Sequence, residues 1–246
     1  MRGSDKTMLK NTDIIILAGG LGKRLQSVTG GGQKVLAAID GKPFIAILIE
    51  YIASQGGQRF IVCTGHGAES VEQRLRGMFA GLTIKFSREQ EPLGTGGAIK
   101  KGAGLVTSDI FLAMNGDCFC AMEYDGLIAA HQQHGADATV AVTRMDDARD
   151  YGTIEIDADN GIVAFREKLL NARQALINTG TYCFKRDVFS LAATVDKFSM
   201  EYDFFPQLVG KKFYAHQVGN RFIDIGTPNR YAWAQEHLKS WGTRGK

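Results

Sequence analysis

Three cations and a cluster of glycines near the start of the chain have the types and spacing that phosphate chemistry needs. Lys23 and Arg24 follow Gly19, Gly20 and Gly22 at once, and Lys34 comes ten residues after Arg24. Glycine allows a sharp turn and close backbone approach, and amides exposed in such a turn attract phosphate oxygens. With cations beside them, the pattern points to a polyphosphate site. Two carboxylates stand out further along. Asp117 closes Asn115-Gly116-Asp117 after an apolar run. That suits either a ligand position at the end of a buried strand or an Asn-Gly turn with Asp117 capping a helix. Asp224 sits between Ile223 and Ile225, so on a strand its side chain points away from theirs. A charge there needs a metal or hydrogen bonds.

The elements that must position these residues alternate strand and helix. Ile14 to Leu17 is an apolar, β-branched run that suits a buried parallel strand, and Val35 to Ile39, Arg59 to Thr64, Thr83 to Phe86 and Asp109 to Met114 read as further strands. Between them, Pro43 starts a helix whose face is Phe44, Ile47, Leu48, Tyr51 and Ile52, ending at Gly56-Gly57; a second helix is expected over Ala68 to Phe79. In Glu91-Pro-Leu-Gly-Thr-Gly-Gly97 the glycines permit close approach before a helix from Ala98, or make a tight loop capped by Thr95. Ala138 to Arg144 is a strand, and Arg186 to Ala193 and Ser199 to Val209 are expected helices. Phe213 to Val218 reads as an edge strand, and Tyr231, Ala234, Leu238 and Trp241 face a last helix. Such βαβα alternation argues for a parallel sheet covered by helices.

Several rival chemistries fail on spacing. A Walker A loop has no place for Leu17 and Arg24, and a dinucleotide fingerprint needs a small residue where Leu25 stands. Cys118 and Cys120 lack the His or Cys neighbours of a zinc site. His131 and His134 share a helix face in Gln-rich surroundings and read as exposed structural residues. Asp157-Ala158-Asp159 has Asp-x-Asp spacing, but Asn160-Gly161 is a strong hairpin signal, so it reads as a turn.

A chain of 246 residues suits one large α/β domain or two small ones. Net charge is +3 with no block of like charges, which favours small phosphorylated ligands over nucleic acid. No apolar run is long enough to span a membrane, and no signal peptide is read at the N-terminus. The four cysteines lack a Cys-x-x-Cys pair and read as reduced thiols of a cytoplasmic protein. Residues 1–10 and 242–246 read as flexible or non-native termini.

Leu17-Ala-Gly-Gly-Leu-Gly-Lys-Arg-Leu25, with Lys34 downstream, resembles the signature of sugar-1-phosphate nucleotidyltransferases. Lys23 stands where that family has Thr, and Gln33 where it has Pro. Leu93-Gly-Thr-Gly-Gly-Ala98 resembles the family's nucleobase loop, Asn115-Gly-Asp117 its first metal carboxylate and Phe222-Ile-Asp-Ile-Gly-Thr-Pro228 its second, with Cys118 where relatives often have Thr. Tyr151-Gly152, Glu167-Lys168 and Asn178 match the segments that contact the sugar phosphate.

The resemblance implies a Rossmann-like three-layer αβα sandwich with a mixed, mainly parallel sheet, the nucleotide-diphospho-sugar transferase fold. One domain would cover 11–241, with a sugar-binding insertion at about 145–182. It implies nucleotide contacts from Leu17, Ala18, Gly19, Gly20, Gly22, Lys23, Gly94, Thr95 and Gly97, and sugar phosphate contacts from Gly152, Glu167, Lys168 and Asn178. Arg24 would hold departing pyrophosphate, Lys34 the α-phosphate and Lys168 the acceptor phosphate, with Mg²⁺ on Asp117 and Asp224. The partners implied are a nucleoside triphosphate and a sugar-1-phosphate, without nucleic acid or membrane; a homo-oligomer is compatible. Within the family, the three glycine-bearing segments are most similar to D-glycero-α-D-manno-heptose-1-phosphate guanylyltransferases. Mannose-1-phosphate guanylyltransferases, uridylyl- or thymidylyltransferases and a non-catalytic nucleotide-sugar sensor are the alternatives.

Overall fold

Successive residues of the first strand, β1 (Asp13–Leu17), point to opposite sides of a sheet, and both sides are dry. Ile14 and Ile16 join one apolar cluster and Ile15 the other, all fully buried. This explains the unbroken β-branched run, since a strand covered on both faces has no polar side. The computed structural model describes residues 8–20, 23–25, 32–166, 173–192 and 195–242. Gly22, Glu167 and Lys168 lie outside the described residues.

Following β1 come a small hairpin of β2 (Ala38–Ile39) and β3 (Lys42–Pro43), helix α1 (Phe44–Ala53), β4 (Arg59–Thr64), α2 (Ala68–Leu75) and β5 (Thr83–Arg88). Then come α3 (Gly94–Ala103), β6 (Ile110–Asn115), β7 (Cys118–Cys120), α4 (Tyr124–Gln133) and β8 (Ala138–Asp147). The remaining elements are β9 (Thr153–Ile156), β10 (Ile162–Arg166), β11 (Arg173–Lys185), α5 (Phe205–Leu208), β12 (Phe213–Gln217), β13 (Phe222–Asp224) and α6 (Pro228–Gly242).

The main sheet runs β5-β4-β1-β6-β11-β8-β12, with β11 antiparallel to its neighbours β6 and β8 and the other adjacent pairs parallel. The sheet is therefore mixed and mainly parallel, as expected. Apolar residues of α1, α2, α4 and α6 cover one face; α3, α5 and the segment from Val188 to Phe204 cover the other. The first half of β11 also pairs with β9, which pairs with β10. The expected insertion is thus an antiparallel extension of the same sheet.

Several expected elements are corrected. Helix α3 starts at Gly94, not Ala98: its glycine-rich first turn packs against residues 196–198, where side chains would collide. Val35 to Ile39 forms a 3-10 turn (Lys34–Leu36) and then β2, and α2 stops at Leu75. The two helices expected between Arg186 and Val209 are a 3-10 turn (Val188–Leu191), a π-helical turn (Met200–Phe204) and the single turn α5. Phe189, Phe198, Phe204 and Phe205 pack ring to ring there, so tertiary packing overrides helical continuity. His131 is buried rather than exposed. It follows Tyr124, Leu127 and Ile128 on the apolar face of α4, and its Nδ1 lies 2.9 Å from Thr139 Oγ1. Asp157 to Gly161 is the expected turn, with Asn160 in the left-handed region (φ 63°).

Candidate active site

The carboxyl ends of β1, β4 and β5 open onto a cavity of about 900 Å³ lined by Leu17, Gly19, Gly20, Gly65, His66, the segment Arg88–Pro92, Gly94, Thr95 and Ala98. Parallel strands leave a crevice at this end, where their connections diverge. Of the expected nucleotide contacts, Leu17, Gly19, Gly20, Gly94 and Thr95 border it directly. Ala18 is buried and gives its amide to Cys63. Gly97 lies behind the wall, its amide donated to the Phe198 carbonyl. Arg24 is exposed on a 3-10 turn (Lys23–Leu25) whose Leu25 is anchored in the core.

The wall carries two acidic residues outside the expected contacts, Glu89 and Glu91. Glu89 follows β5, and its Oε2 accepts the Leu93 amide at 2.9 Å. Its Oε1 is 3.4 Å from where a side chain on Gly19 would begin, so it lies against the glycine loop. The available signal was positional: Glu89 stands just past a strand end, as Asp117 does.

Two further strands bring the distant carboxylates together. Leu17 and Asn115 are paired at the ends of β1 and β6, and the Gly116 amide bonds the Leu17 carbonyl at 2.9 Å. The chain then turns into β7, not into a helix that Asp117 could cap. Strand β13 pairs antiparallel with β7, placing Asp224 opposite Cys118, and the Ile225 amide bonds the Asp117 carbonyl at 3.0 Å. Residues more than a hundred positions apart thus share one small ribbon beside the cavity. Desolvation, with both carboxylates contributing, raises the Cys118 thiol well above its ordinary range, so it stays protonated.

Each carboxylate is held by its own cation. Lys34 Nζ bonds Asp117 Oδ2. Arg230, in the first turn of α6, reaches back to Asp224 with Nη1 at 3.1 Å from Oδ1 and 3.0 Å from Oδ2. Tyr151 donates its hydroxyl to Asp224 Oδ2 at 2.6 Å, and the Gly226 amide donates to Oδ1 at 2.8 Å. A side chain at Gly226 would start 2.5 Å from that oxygen and 3.5 Å from Lys34 Nζ, so only glycine lets this turn close. Burial and then the Asp224 charge push the Tyr151 phenol far up and keep it a donor.

The expected sugar phosphate residues Gly152 and Asn178 are also brought together, the Asn178 amide bonding the Gly152 carbonyl at 3.0 Å. Asn178 Nδ2 donates to the Tyr182 hydroxyl at 2.9 Å, and its Oδ1 accepts the Gly180 amide at 2.8 Å. Gly180 has φ +72°, and a side chain there would meet Asn115 at 2.6 Å. Through Tyr151, this region is tied to Asp224. Tyr151 was missed because it meets Asp224 from 73 positions away, and Arg230 because its turn back from α6 onto an aspartate six residues earlier carries no motif.

The two carboxylates suit a hard divalent cation that takes its other ligands from phosphate and water. Among the described residues, no group of three or more His, Cys, Asp or Glu forms a complete protein cage.

Comparison with known proteins identifies the family. The family described as Nucleotidyl transferase matches residues 13–240. D-glycero-alpha-D-manno-heptose 1-phosphate guanylyltransferase of Aneurinibacillus thermoaerophilus is 38% identical over 93% of this chain and 99% of its own. The enzyme of the same name from Campylobacter jejuni subsp. jejuni serotype O:2 is 36% identical over 88% and 96%. The crystal structure of HddC from Yersinia pseudotuberculosis complexed with GMP-PN superposes with a TM-score of 0.80 at 36% identity, covering 92% of this chain and 99% of that one. Glycine loop, paired carboxylates and sheet order all occur along the matched length, and the chain belongs to the nucleotidyl transferase family.

Proposed function

We propose that this nucleotidyltransferase moves the guanylyl group of GTP onto D-glycero-α-D-manno-heptose-1-phosphate, releasing pyrophosphate and forming GDP-heptose for surface polysaccharide in the cytoplasm. One juxtaposition carries the reading. The glycine-lined cavity lies next to two carboxylates and two cations at the ends of β1 and β6, in a chain similar over almost its full length to enzymes of that name.

In this reading the sugar phosphate oxygen forms a bond to the α-phosphorus while the bond to the bridging oxygen of pyrophosphate breaks in line. Attacking and leaving oxygens are already anionic, so the protein positions and neutralises rather than moving protons. Arg24 holds the leaving pyrophosphate and Lys34 turns from Asp117 to the α-phosphate. Lys168 holds the acceptor phosphate, with Gly152, Glu167 and Asn178 around the sugar. Asp117 and Asp224 would hold Mg²⁺, which when bound neutralises phosphate charge as a hard Lewis acid. Guanine presents N1–H and N2–H donors, and Glu89 Oε1 offers the wall a charged acceptor for that edge. Backbone groups alone would not separate guanine from a pyrimidine so strongly.

The test is a matrix of nucleoside triphosphates against sugar-1-phosphates, read by pyrophosphate release. Highest kcat/KM for GTP with the heptose phosphate is expected. A preference for mannose-1-phosphate would change the acceptor, and a preference for UTP, dTTP or CTP would remove the guanylyl assignment.

A further inference from the structure

Asp224 has no acceptor position left over. A carboxylate has about four lone-pair sites. In this protein Gly226 and Tyr151 take one on each oxygen, and Arg230 Nη1 bridges the other two at 3.1 and 3.0 Å. The first two partners are a backbone amide and a neutral phenol, which orient the carboxylate without neutralising it. Arg230 is the cation bonded to it among the described residues, and it sits between the oxygens where a metal ion would bind. Its other terminal nitrogen already has a second partner, Asp150 Oδ2 at 2.5 Å, and its guanidinium lies 4.7 Å over the Tyr151 ring. Asp150 is well exposed, while Asp224 is enclosed.

From this geometry we propose that Arg230 is an internal counter-cation: it occupies the metal position on Asp224 in the nucleotide-free enzyme and is exchanged for the divalent cation on loading. Asp150 and the Tyr151 face hold the displaced guanidinium nearby. The inference rests on the reading of Asp117 and Asp224 as metal ligands. The physical need is clear. Two carboxylates on one ribbon repel each other when no metal is present, and desolvation makes each charge costly unless paired. Lys34 meets that need at Asp117 and Arg230 meets it at Asp224. Exchange makes metal loading a competition. It also couples Asp224 to the Asp150–Gly152 segment that borders the expected sugar site.

Mn²⁺ binding to the full-length, nucleotide-free protein, followed by the EPR signal of free Mn²⁺, tests the exchange directly. Removing a charge-assisted competitor should tighten binding, so Arg230→Gln is expected to bind Mn²⁺ about 10-fold or more tightly than wild type. Arg230→Lys, which keeps the charge, should stay near wild type. Adding Asp224→Asn should abolish the gain. Asp150→Asn removes the holding place and should weaken Mn²⁺ binding in wild type, with a smaller effect in the Arg230→Gln background; a residue acting only through packing would not produce that coupling. Thermal melts identify any variant that fails to fold; if Arg230→Gln does, Asp150→Asn in otherwise wild-type protein carries the test, and unchanged Mn²⁺ binding there would overturn the exchange. Equal or weaker Mn²⁺ binding by folded Arg230→Gln, with Asp224→Asn still impairing it, would overturn the exchange and leave the metal reading standing. If Asp224→Asn changes Mn²⁺ binding neither alone nor with GTP present, the metal reading itself falls and the exchange with it.

Discussion

Charge at this site is handled one residue at a time. Asp117 and Asp224 carry negative charge beside the cavity, each paired with its own cation. Replacing either by Asn keeps the shape and removes the charge, and turnover should fall about 100-fold or more, the scale of one major electrostatic contact. Steady-state kinetics at saturating Mg²⁺ measures it, and near-wild-type kcat for Asp224→Asn would end the assignment. Melting should change little, because Arg230 keeps Asp150 and its place over the Tyr151 ring. Glu89 carries a separate expectation. If its carboxylate accepts from guanine, Glu89→Gln should lower kcat/KM for GTP by roughly 10-fold, the worth of a charge-assisted hydrogen bond. Inosine triphosphate, which lacks the N2 amine, separates recognition from folding. The ratio of GTP to ITP activity should move towards one in the variant, and an unchanged ratio would remove Glu89 from base recognition.

At the scale of elements, the glycine-rich first turn of α3 and the π-helical turn at Met200–Phe204 are one unit. Thr95 Oγ1 donates to Glu201 Oε2 at 2.9 Å and accepts the Met200 amide at 2.9 Å, while the Phe198 carbonyl takes the amides of Gly96 and Gly97. Ser199 caps the π turn and shares Glu201. Because Glu201 also approaches the Tyr182 hydroxyl at 3.5 Å, the cavity wall is linked to the strand carrying Asn178. Thr95→Val keeps the volume and deletes both bonds, leaving a buried amide and a carboxylate short of partners. A loss of about 1–3 kcal/mol in urea unfolding is expected, with raised KM for the nucleotide from a looser wall. Full stability would mean that the tie between α3 and the π turn is dispensable.

Across the whole molecule, Asp13, His131 and His216 are desolvated titratable groups that bear on the response to acid. Asp13 joins the start of β1 to β4 through Arg59 and to the entry of β6 through Thr107 and Ser108. Burial pushes its carboxyl up, but the Thr107 and Ser108 amides and hydroxyls outweigh this and hold it below the ordinary 3.8. Its contribution is present above that value and is lost as pH falls through the native one. His131 is buried, and desolvation first, then Lys185, lowers its imidazole from 6.5 to about 4. The unfolded chain therefore takes up a proton that the native protein refuses, and stability falls between pH 6.5 and about 4. Urea unfolding should show stability level near neutrality, declining across that interval and declining again below 3.8 as Asp13 protonates. In His131→Phe the upper decline should shrink to what His216, also lowered by desolvation, contributes, and the lower one should be retained. An upper decline of equal size in the variant would place the acid sensitivity elsewhere.

Local order and the motifs were legible in the sequence, because they arise from neighbours along the chain. Apolar runs predict β1, β4 and β6, since both faces of those strands are dry. Asn160-Gly161 predicts its turn, and the isoleucines beside Asp224 predict that its carboxylate leaves their face. The glycine loop, both aspartates and the family follow from the same short segments. Tertiary structure alone decided which charges meet. Lys34 meets Asp117 from 83 positions away, and β7 and β13 close a ribbon that sets Asp224 beside that pair, while Arg230 turns back onto Asp224 from six residues further on. It also decided that α3 begins four residues early, that the segment after β11 breaks into short turns around packed phenylalanines, and that His131 is dry. Those outcomes depend on what packs against each segment, and the packing partners are set by sheet order rather than by distance along the chain.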